Sequence, residues 1–572
     1  MTLFKKHFKY LAVAAFAATQ VPVYSQTQTE QERITRLKSD ITFLASDALQ
    51  GRVTGSPYEK MSADYISSSF EKANLKAGKN GWFQTFQIVK LRIAKQSTEL
   101  SLWRDTFLIK KLELNVNYYP LSQSCNNDSA LAEVLDCGYG LVLRDSSNRD
   151  DFAAAGDLKG KVALIRLGFP GDEDNPHAAM AAYADVNTKI REATAHGAAG
   201  IIFIPGSKAA EMPKTQLDRN AAPGKIPVFM LTMNNLPPRG LTVKLKSDIA
   251  APTATGHNVI GYAGKFKKRK NTIIICAHHD HLGFNEYGGS RYTGPQAIHN
   301  GADDNASGVA AMLELARNVK KYGSKKNNYV FVAFSGEELG LIGSKNFVKN
   351  LPFPLQKINY VVNIDMLGRL DSQTKALVIY GTGTSPAWAT SLANIKKELD
   401  TTKIKITESP SGLGPSDHAS FYMEGIPVLH FFTGQHDDYH KPSDDESKIN
   451  YSGMLSSLSV IEKMLIQNKA KKKIIFTKTK DVQPGRTGFK ISLGVMPDYA
   501  FTGTGMRLDG VTEGKPAATA GLQRGDIITK VGSREINTIQ DYMQALSTLN
   551  KGDKIEVGFL RSGDKKTTTI QL

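Results

Sequence analysis

Thr272 to His278 (TIIICAH) is the stretch from which the rest of the chain can be read. A short β-branched run, apolar on consecutive rather than alternate positions, suits a strand buried on both faces. Its closing imidazole then stands at the sheet edge. Three further runs have the same form. Tyr329 to Phe334 (YVFVAF) precedes Glu337-Glu338, Tyr360 to Ile364 (YVVNI) precedes Asp365, and Ile426 to Phe432 (IPVLHFF) precedes a loop ending at His440. Helical patterns lie between them at Ala306 to Val319 and Leu339 to Val348. Alternating strands and helices predict an α/β fold with a doubly wound, mostly parallel sheet. In such sheets the ligand crevice lies outside the carboxyl ends of the strands. His278, Asp303, Glu338, Asp365 and His440 are therefore expected to converge on one edge.

Two imidazoles and three carboxylates form the donor set of a two-zinc site. With neutral imidazoles the ligands carry three negative charges against four positive, and a hydroxide closes the balance. Two cations about 3.5 to 4 Å apart need a bridging carboxylate. Asp303, in the loop Gly301-Ala302-Asp303-Asp304-Asn305 at a helix start, suits that role. Glu337 and Glu338 diverge from the backbone as neighbours, so one can bind metal while the other stays free as a general base. Asp280, two residues past His278, is placed to fix the imidazole tautomer. His279 and His281 compete with His278 as ligands on sequence alone. Ser416-Asp417-His418 is a candidate pocket lining.

The surroundings fit an exported multi-domain protein. The chain has 572 residues, of which 41% are hydrophobic and 22% charged; this is ordinary globular usage, and the length exceeds a single core. Lys5, Lys6 and Lys9 lead into an apolar Leu11 to Val21 and then Val23-Tyr24-Ser25, the pattern of a signal peptide cleaved near Ser25-Gln26. The apolar run is too short to span a bilayer, which needs roughly 20 residues, and no transmembrane segment is read elsewhere. Export to the periplasm or the extracellular space is the expectation. Loss of those three lysines lowers the formal charge from +17 to +14. Part of the excess sits in a basic linker with Lys469, Lys471, Lys472, Lys473, Lys478 and Lys480, and no nucleic-acid motif accompanies it. Export would let Cys125 and Cys137 pair; Cys276, inside its strand, reads as a small core residue.

The texture divides the chain into residues 1–25 (leader), 26–105 (amphipathic helices), 106–252 (short strands broken by glycine, without a metal cluster), 253–468 (the α/β segment), 469–482 (linker) and 483–572 (a compact β-rich unit).

At the site motifs the chain resembles the M28 zinc aminopeptidases. These motifs are Ala277-His278-His279-Asp280-His281-Leu282-Gly283, Gly301 to Gly308 (GADDNASG), Ser335-Gly336-Glu337-Glu338-Leu339-Gly340, Asn363-Ile364-Asp365-Met366 and Tyr439-His440. The resemblance implies a peptide substrate and two Zn2+ ions, with His278 and Asp365 on one, Glu338 and His440 on the other, and Asp303 bridging. It also implies Glu337 as base and favours His278 over its neighbouring histidines. Tyr439 is a candidate for a hydrogen bond to the oxyanion, and Asp280 for holding His278. Phe43 to Arg52 (FLASDALQGR) is similar to the lead-in of larger members. Residues 110–250 resemble the protease-associated (PA) domain those members carry. The tail resembles a bacterial PDZ domain, with Leu493-Gly494-Val495 at a carboxylate-binding loop for a C-terminal peptide. Rival readings are a glutaminyl cyclase, which shares the fold, a carboxypeptidase or dipeptidase, and a non-catalytic receptor on the same scaffold.

Overall fold

The structure is a computed structural model. It describes residues 21–572 except 127, 144–147, 173–179, 181–182, 207–211, 214, 219–222, 233–241, 265–270, 470–472, 480–492, 498–503, 512–513, 537–540, 543–544, 547–548, 551 and 562. Most of the expected leader and much of the basic linker lie outside the described residues. Among the described residues no helix is long and apolar enough to cross a membrane.

The chain forms two compact units, Gln87–Ala254 and the remainder. The larger is built on an eight-stranded sheet of β1 (Phe83–Val89), β2 (Thr253–Ala263), β3 (Asn271–His278), β4 (Asn327–Phe334), β5 (Ile358–Ile364), β6 (Ala376–Tyr380), β7 (Lys405–Ser409) and β8 (Val428–Phe432), in the order β1-β2-β4-β3-β5-β8-β6-β7. The four central strands, β4-β3-β5-β8, are parallel. β2 joins β4, and β6 joins β8, antiparallel, so the sheet is mixed with a parallel centre.

Burial on both faces explains the continuous apolar runs. Ile273, Ile275 and Ala277 of β3 enter one core and Ile274 and Cys276 the other, because successive side chains of a strand point to opposite faces. The first core takes in α1 (Val21–Leu44), α2 (Pro57–Lys72), α3 (Gly308–Tyr322), α5 (Pro386–Lys397) and α6 (Tyr451–Asn468); the second is covered by α4 (Ile342–Lys349) through Phe347 and by Phe421. The helix starts are locally encoded. Ser56 Oγ accepts from the Glu59 N–H at 3.1 Å with Pro57 in the first turn, and Asn450 accepts from the Gly453 N–H at 2.9 Å. Each leaves one fewer donor unpaired, worth about 1 kcal/mol.

The smaller unit is a second eight-stranded sheet. Its parallel centre is Asp128–Asp136, Val162–Arg166, Gly200–Ile204 and Val228–Leu231, with a core cluster on each face. It begins earlier than the boundary expected at 106, because Glu99–Arg104 pairs with Thr242–Ser247. Cys125 and Cys137 are both free and buried, against the expected pairing. Cys137 is packed beside Phe152 in one core cluster, and the Cys125 N–H donates to the Ile226 carbonyl.

The C-terminal residues of the larger unit have their own sheet and core. The order is Val495–Pro497, Met506–Val511, Ile527–Val531, Lys554–Arg561, Asp564–Gln571, with Arg534–Glu535 pairing to Ile527–Val531. Leu493 is fully buried in that core, and its carbonyl accepts from the Ala517 N–H.

Candidate metal centre

The carboxyl ends of β3, β4, β5 and β8 bring acids and imidazoles together as the strand pattern implies. His278 closes β3, Glu337 and Glu338 follow β4, Asp365 follows β5, and His440 ends the loop after β8. A carboxylate at the centre of the group belongs to Asp304. Its Oδ1 lies 3.3 Å from His278 Nε2, which is also 3.3 Å from Asp365 Oδ1. Its Oδ2 lies 3.2 Å from His440 Nε2, which is 3.4 Å from Glu338 Oε2. Donors each about 2 Å from a tetrahedral centre stand about 3.3 Å from one another, so each triad has the spacing of a metal's ligand set. His278, Asp304 and Asp365 form one such group; His281, Asp304 and Glu338 form a second, overlapping with His440.

This corrects the expectation for Asp303. Its carboxylate turns away from the cluster to Ser307 Oγ, the Gly368 N–H and His436. The reason lies in the turn. Gly301 is left-handed at φ 58, and a Cβ there would meet the Asp304 carbonyl at 2.0 Å and the His281 ring at 2.5 Å. Asp444, which the sequence reading missed, accepts from the Asp303 N–H at 3.0 Å and the Asp304 N–H at 3.0 Å. So held, the backbone presents Asp304 inward and Asp303 backward.

The other expected residues fall as follows. Asp280 reaches His278 Nδ1 through its backbone carbonyl at 3.1 Å, its carboxylate standing 3.7 Å off. That carboxylate accepts instead from Thr54 Oγ1 at 2.8 Å and the Glu337 N–H at 3.2 Å. His279 faces Ser62 and the His257 carbonyl, away from the cluster. His281 Nδ1 approaches Glu338 Oε1 at 2.9 Å, and the rings of His281 and His440 meet edge to face at 5.8 Å. Tyr439 stacks on His440 with centroids 3.9 Å apart. Ser416 Oγ accepts from Asn363 Nδ2 at 2.8 Å, and Asp417 and His418 are buried. Arg52 had no role in the sequence reading. It is buried, with its guanidinium donating to the carbonyls of His279, Leu44, Asn300 and Gly301, which fixes both loops around Asp304.

The electrostatics favour cations. Burial works against a charged imidazole at His278, yet Asp365 and Glu337 hold its pKa well above the usual value. At His440 burial is likewise overcome by Glu338 and Asp304, and the pKa rises to about 11. Glu338, opposed by burial and by Asp304, is still brought down to about 2 by His440 and His281. Burial, aided by Glu338, Asp365 and Asp417, lifts Glu337 well above the carboxylate range. A pocket that protonates buried histidines has a strongly negative potential, of the kind that metal cations on N and O donors offset.

Comparison with known proteins agrees with the motifs. Residues 258–465 match the model of peptidase family M28, residues 129–236 the PA domain and residues 476–572 the PDZ domain. Aminopeptidase YwaD of Bacillus subtilis is 27% identical over 463 residues, covering 76% of this chain and 87% of its own. An aminopeptidase of Pseudomonas aeruginosa is 25% identical, covering 67% of each. The crystal structure of BSAP, a zinc aminopeptidase from Bacillus subtilis, aligns over 79% of this chain and 98% of its own at 24% identity with a TM-score of 0.43. Three segments of the chain thus match, in chain order, the PA domain, peptidase family M28 and the PDZ domain.

Proposed function

We propose that the protein is an exported metallo-aminopeptidase that removes amino-terminal residues from peptides with two zinc ions. The observation that carries this is Asp304, whose two oxygens each complete a separate triad at ligand spacing. His278, Asp365 and Asp304 would hold one ion and Glu338, His440 and Asp304 the other. His281 orients Glu338 through their 2.9 Å contact. Two imidazoles among carboxylates suit zinc better than magnesium or calcium. When bound, the ions supply Lewis acidity, lowering the pKa of water and offsetting charge on the scissile carbonyl.

The rest falls to side chains of this chain. Glu337, with its backbone N–H tied to Asp280, lies outside both triads; cations bound beside it would offset the neighbouring acids that lift its carboxyl and leave it ionised, able to take the proton from the attacking water and return it to the leaving amine. Tyr439, seated on His440, is placed to donate to the developing oxyanion. The relatives are named aminopeptidases, which favours removal of amino-terminal residues over carboxypeptidase action. The PDZ domain is assigned capture of a C-terminal peptide at Leu493, Gly494 and Val495.

A panel of amino-acyl fluorogenic substrates, with free and blocked amino termini and an N-terminal Gln peptide, tests the reading. Hydrolysis of free substrates alone is expected. Cleavage of blocked substrates, cyclisation of the Gln peptide without hydrolysis, or no turnover by the zinc-loaded protein would each overturn it.

A further inference from the structure

Asp303 is fully buried and faces away from the metal donors, yet three segments meet at its carboxylate. Oδ1 accepts from Ser307 Oγ at 2.9 Å and from the Gly368 N–H at 2.6 Å. Oδ2 lies 3.2 Å from His436 Nε2. Ser307 belongs to the turn that presents Asp304. Gly368 lies three residues past Asp365, and His436 four residues before His440. Each segment thus supplies one donor of the candidate centre, and a single carboxylate sets their registry. Hydrogen bonds to a buried carboxylate are among the strong ones, because no water competes and the charge assists.

The three donors do not depend equally on this junction. Asp304 adjoins Asp303 itself, and Asp365 sits directly at the end of β5, where the parallel sheet fixes its backbone. His440 lies eight residues beyond β8 in a left-handed conformation at φ 57. Its loop has other ties, among them the Arg291 N–H donating to the His440 carbonyl at 3.0 Å. Asp438 binds Arg369 at 3.2 Å and Lys448 at 2.6 Å, and His440 Nδ1 meets the Gly289 carbonyl at 2.9 Å. Asp444, four residues past His440, also accepts from the Asp303 and Asp304 N–H groups, so His440 is bracketed on both sides, and the bond from His436 is the tie on its amino-terminal side that reaches the Asp303 carboxylate.

We propose that Asp303 is a positioning residue whose bond to His436 holds the His440 loop in register with Asp304 and so sets the affinity for the second cation, that of Asp304, Glu338 and His440. The proposal rests on the two-cation reading above.

The test uses the full chain and zinc alone. Asp303→Asn keeps an acceptor for Ser307 and Gly368 but replaces the oxygen facing His436 with an amide nitrogen. His436→Ala removes the donor, and His436→Gln restores an N–H. Competitive zinc titration should show the first zinc unchanged in all variants. The second should be weakened about 10- to 100-fold in Asp303→Asn and His436→Ala, with His436→Gln recovering most of the loss. In zinc-free protein, amide exchange at residues 436–440 should quicken roughly ten-fold in the same two variants and stay unchanged in α3. Unaltered second-zinc affinity and exchange in both variants would overturn the proposal, as would equal weakening of both zincs with faster exchange throughout. A wild-type chain that binds one zinc sinks the two-cation reading instead, and the exchange measurement then decides the role of Asp303 by itself.

Discussion

Oδ2 of Asp304 lies 3.2 Å from Nε2 of His440, although the two residues come from loops on different strands of the sheet. A carboxylate shared by both triads makes their loss concerted. Asp304→Ala is expected to reduce bound zinc from about two per chain to one or fewer and to lower kcat by ~10³-fold or more. Metal analysis of the purified variant checks it, and two retained zincs would contradict the bridging role.

Glu337 is assigned to moving a proton rather than binding metal. Glu337→Gln should cut kcat by about 10²- to 10⁴-fold while zinc content stays near that of the wild type. Parallel kinetic and metal measurements separate this from a ligand, whose loss would lower both.

Metal binding should release protons. Without cations His278 and His440 are held protonated by the surrounding acids, His440 with a pKa of about 11, and a metal takes only the neutral imidazole. Zinc titration at neutral pH should therefore release about two protons per chain from the imidazoles, and one more as Glu337 ionises beside the cations. Calorimetry in buffers of different ionisation enthalpy reads that number. Zinc affinity should weaken as pH falls, because protons then compete for the same nitrogens.

Arg52 is a buried cation tied to four backbone carbonyls. Burial lowers its pKa to about 10, while Asp304, Asp280, Asp444 and Glu338 oppose the drop. Arg52→Met should destabilise the larger unit by about 3–5 kcal/mol by leaving those groups unpaired, read as a lowered denaturant midpoint. Arg52→Lys, lacking the planar fork, should recover only part of it.

The smaller unit offers a pH-dependent contact away from the site. Asp150 caps a helix through the Phe152 and Ala153 N–H groups and meets His196 Nε2 at 3.0 Å. The backbone bond to Glu192 raises the His196 pKa against burial, with Asp150 adding to the rise. Its contribution is thus full below the unfolded value near 6.5 and fades as pH climbs through the raised folded value. Asp150, lowered despite burial by its backbone bonds and His196, contributes above its unfolded value and loses that as pH falls through the lowered one. Both groups are partly exposed, so His196→Ala should cost under about 1 kcal/mol below pH 6 and less above pH 8. Denaturant unfolding of this unit at the two pH values measures the difference.

The amino-acid order determined the strands and their ends. Ile273 to Ala277, short and β-branched with apolar residues on consecutive positions, suits a strand with two buried faces, which puts the imidazole directly after it at the sheet edge. The same logic placed Glu337, Glu338 and Asp365, and the three domain matches follow motifs visible in the sequence. What the sequence could not decide was direction within a loop. Asp303 and Asp304 are adjacent and chemically identical, and only the turn fixed by Gly301, Asp444 and Arg52 sends one toward His278 and His440 and the other toward His436. Those fixing residues come from distant parts of the chain, so no local pattern announces them. Strand periodicity is a property of neighbours along the backbone, whereas the aim of a loop carboxylate is set by partners that only the tertiary structure brings together.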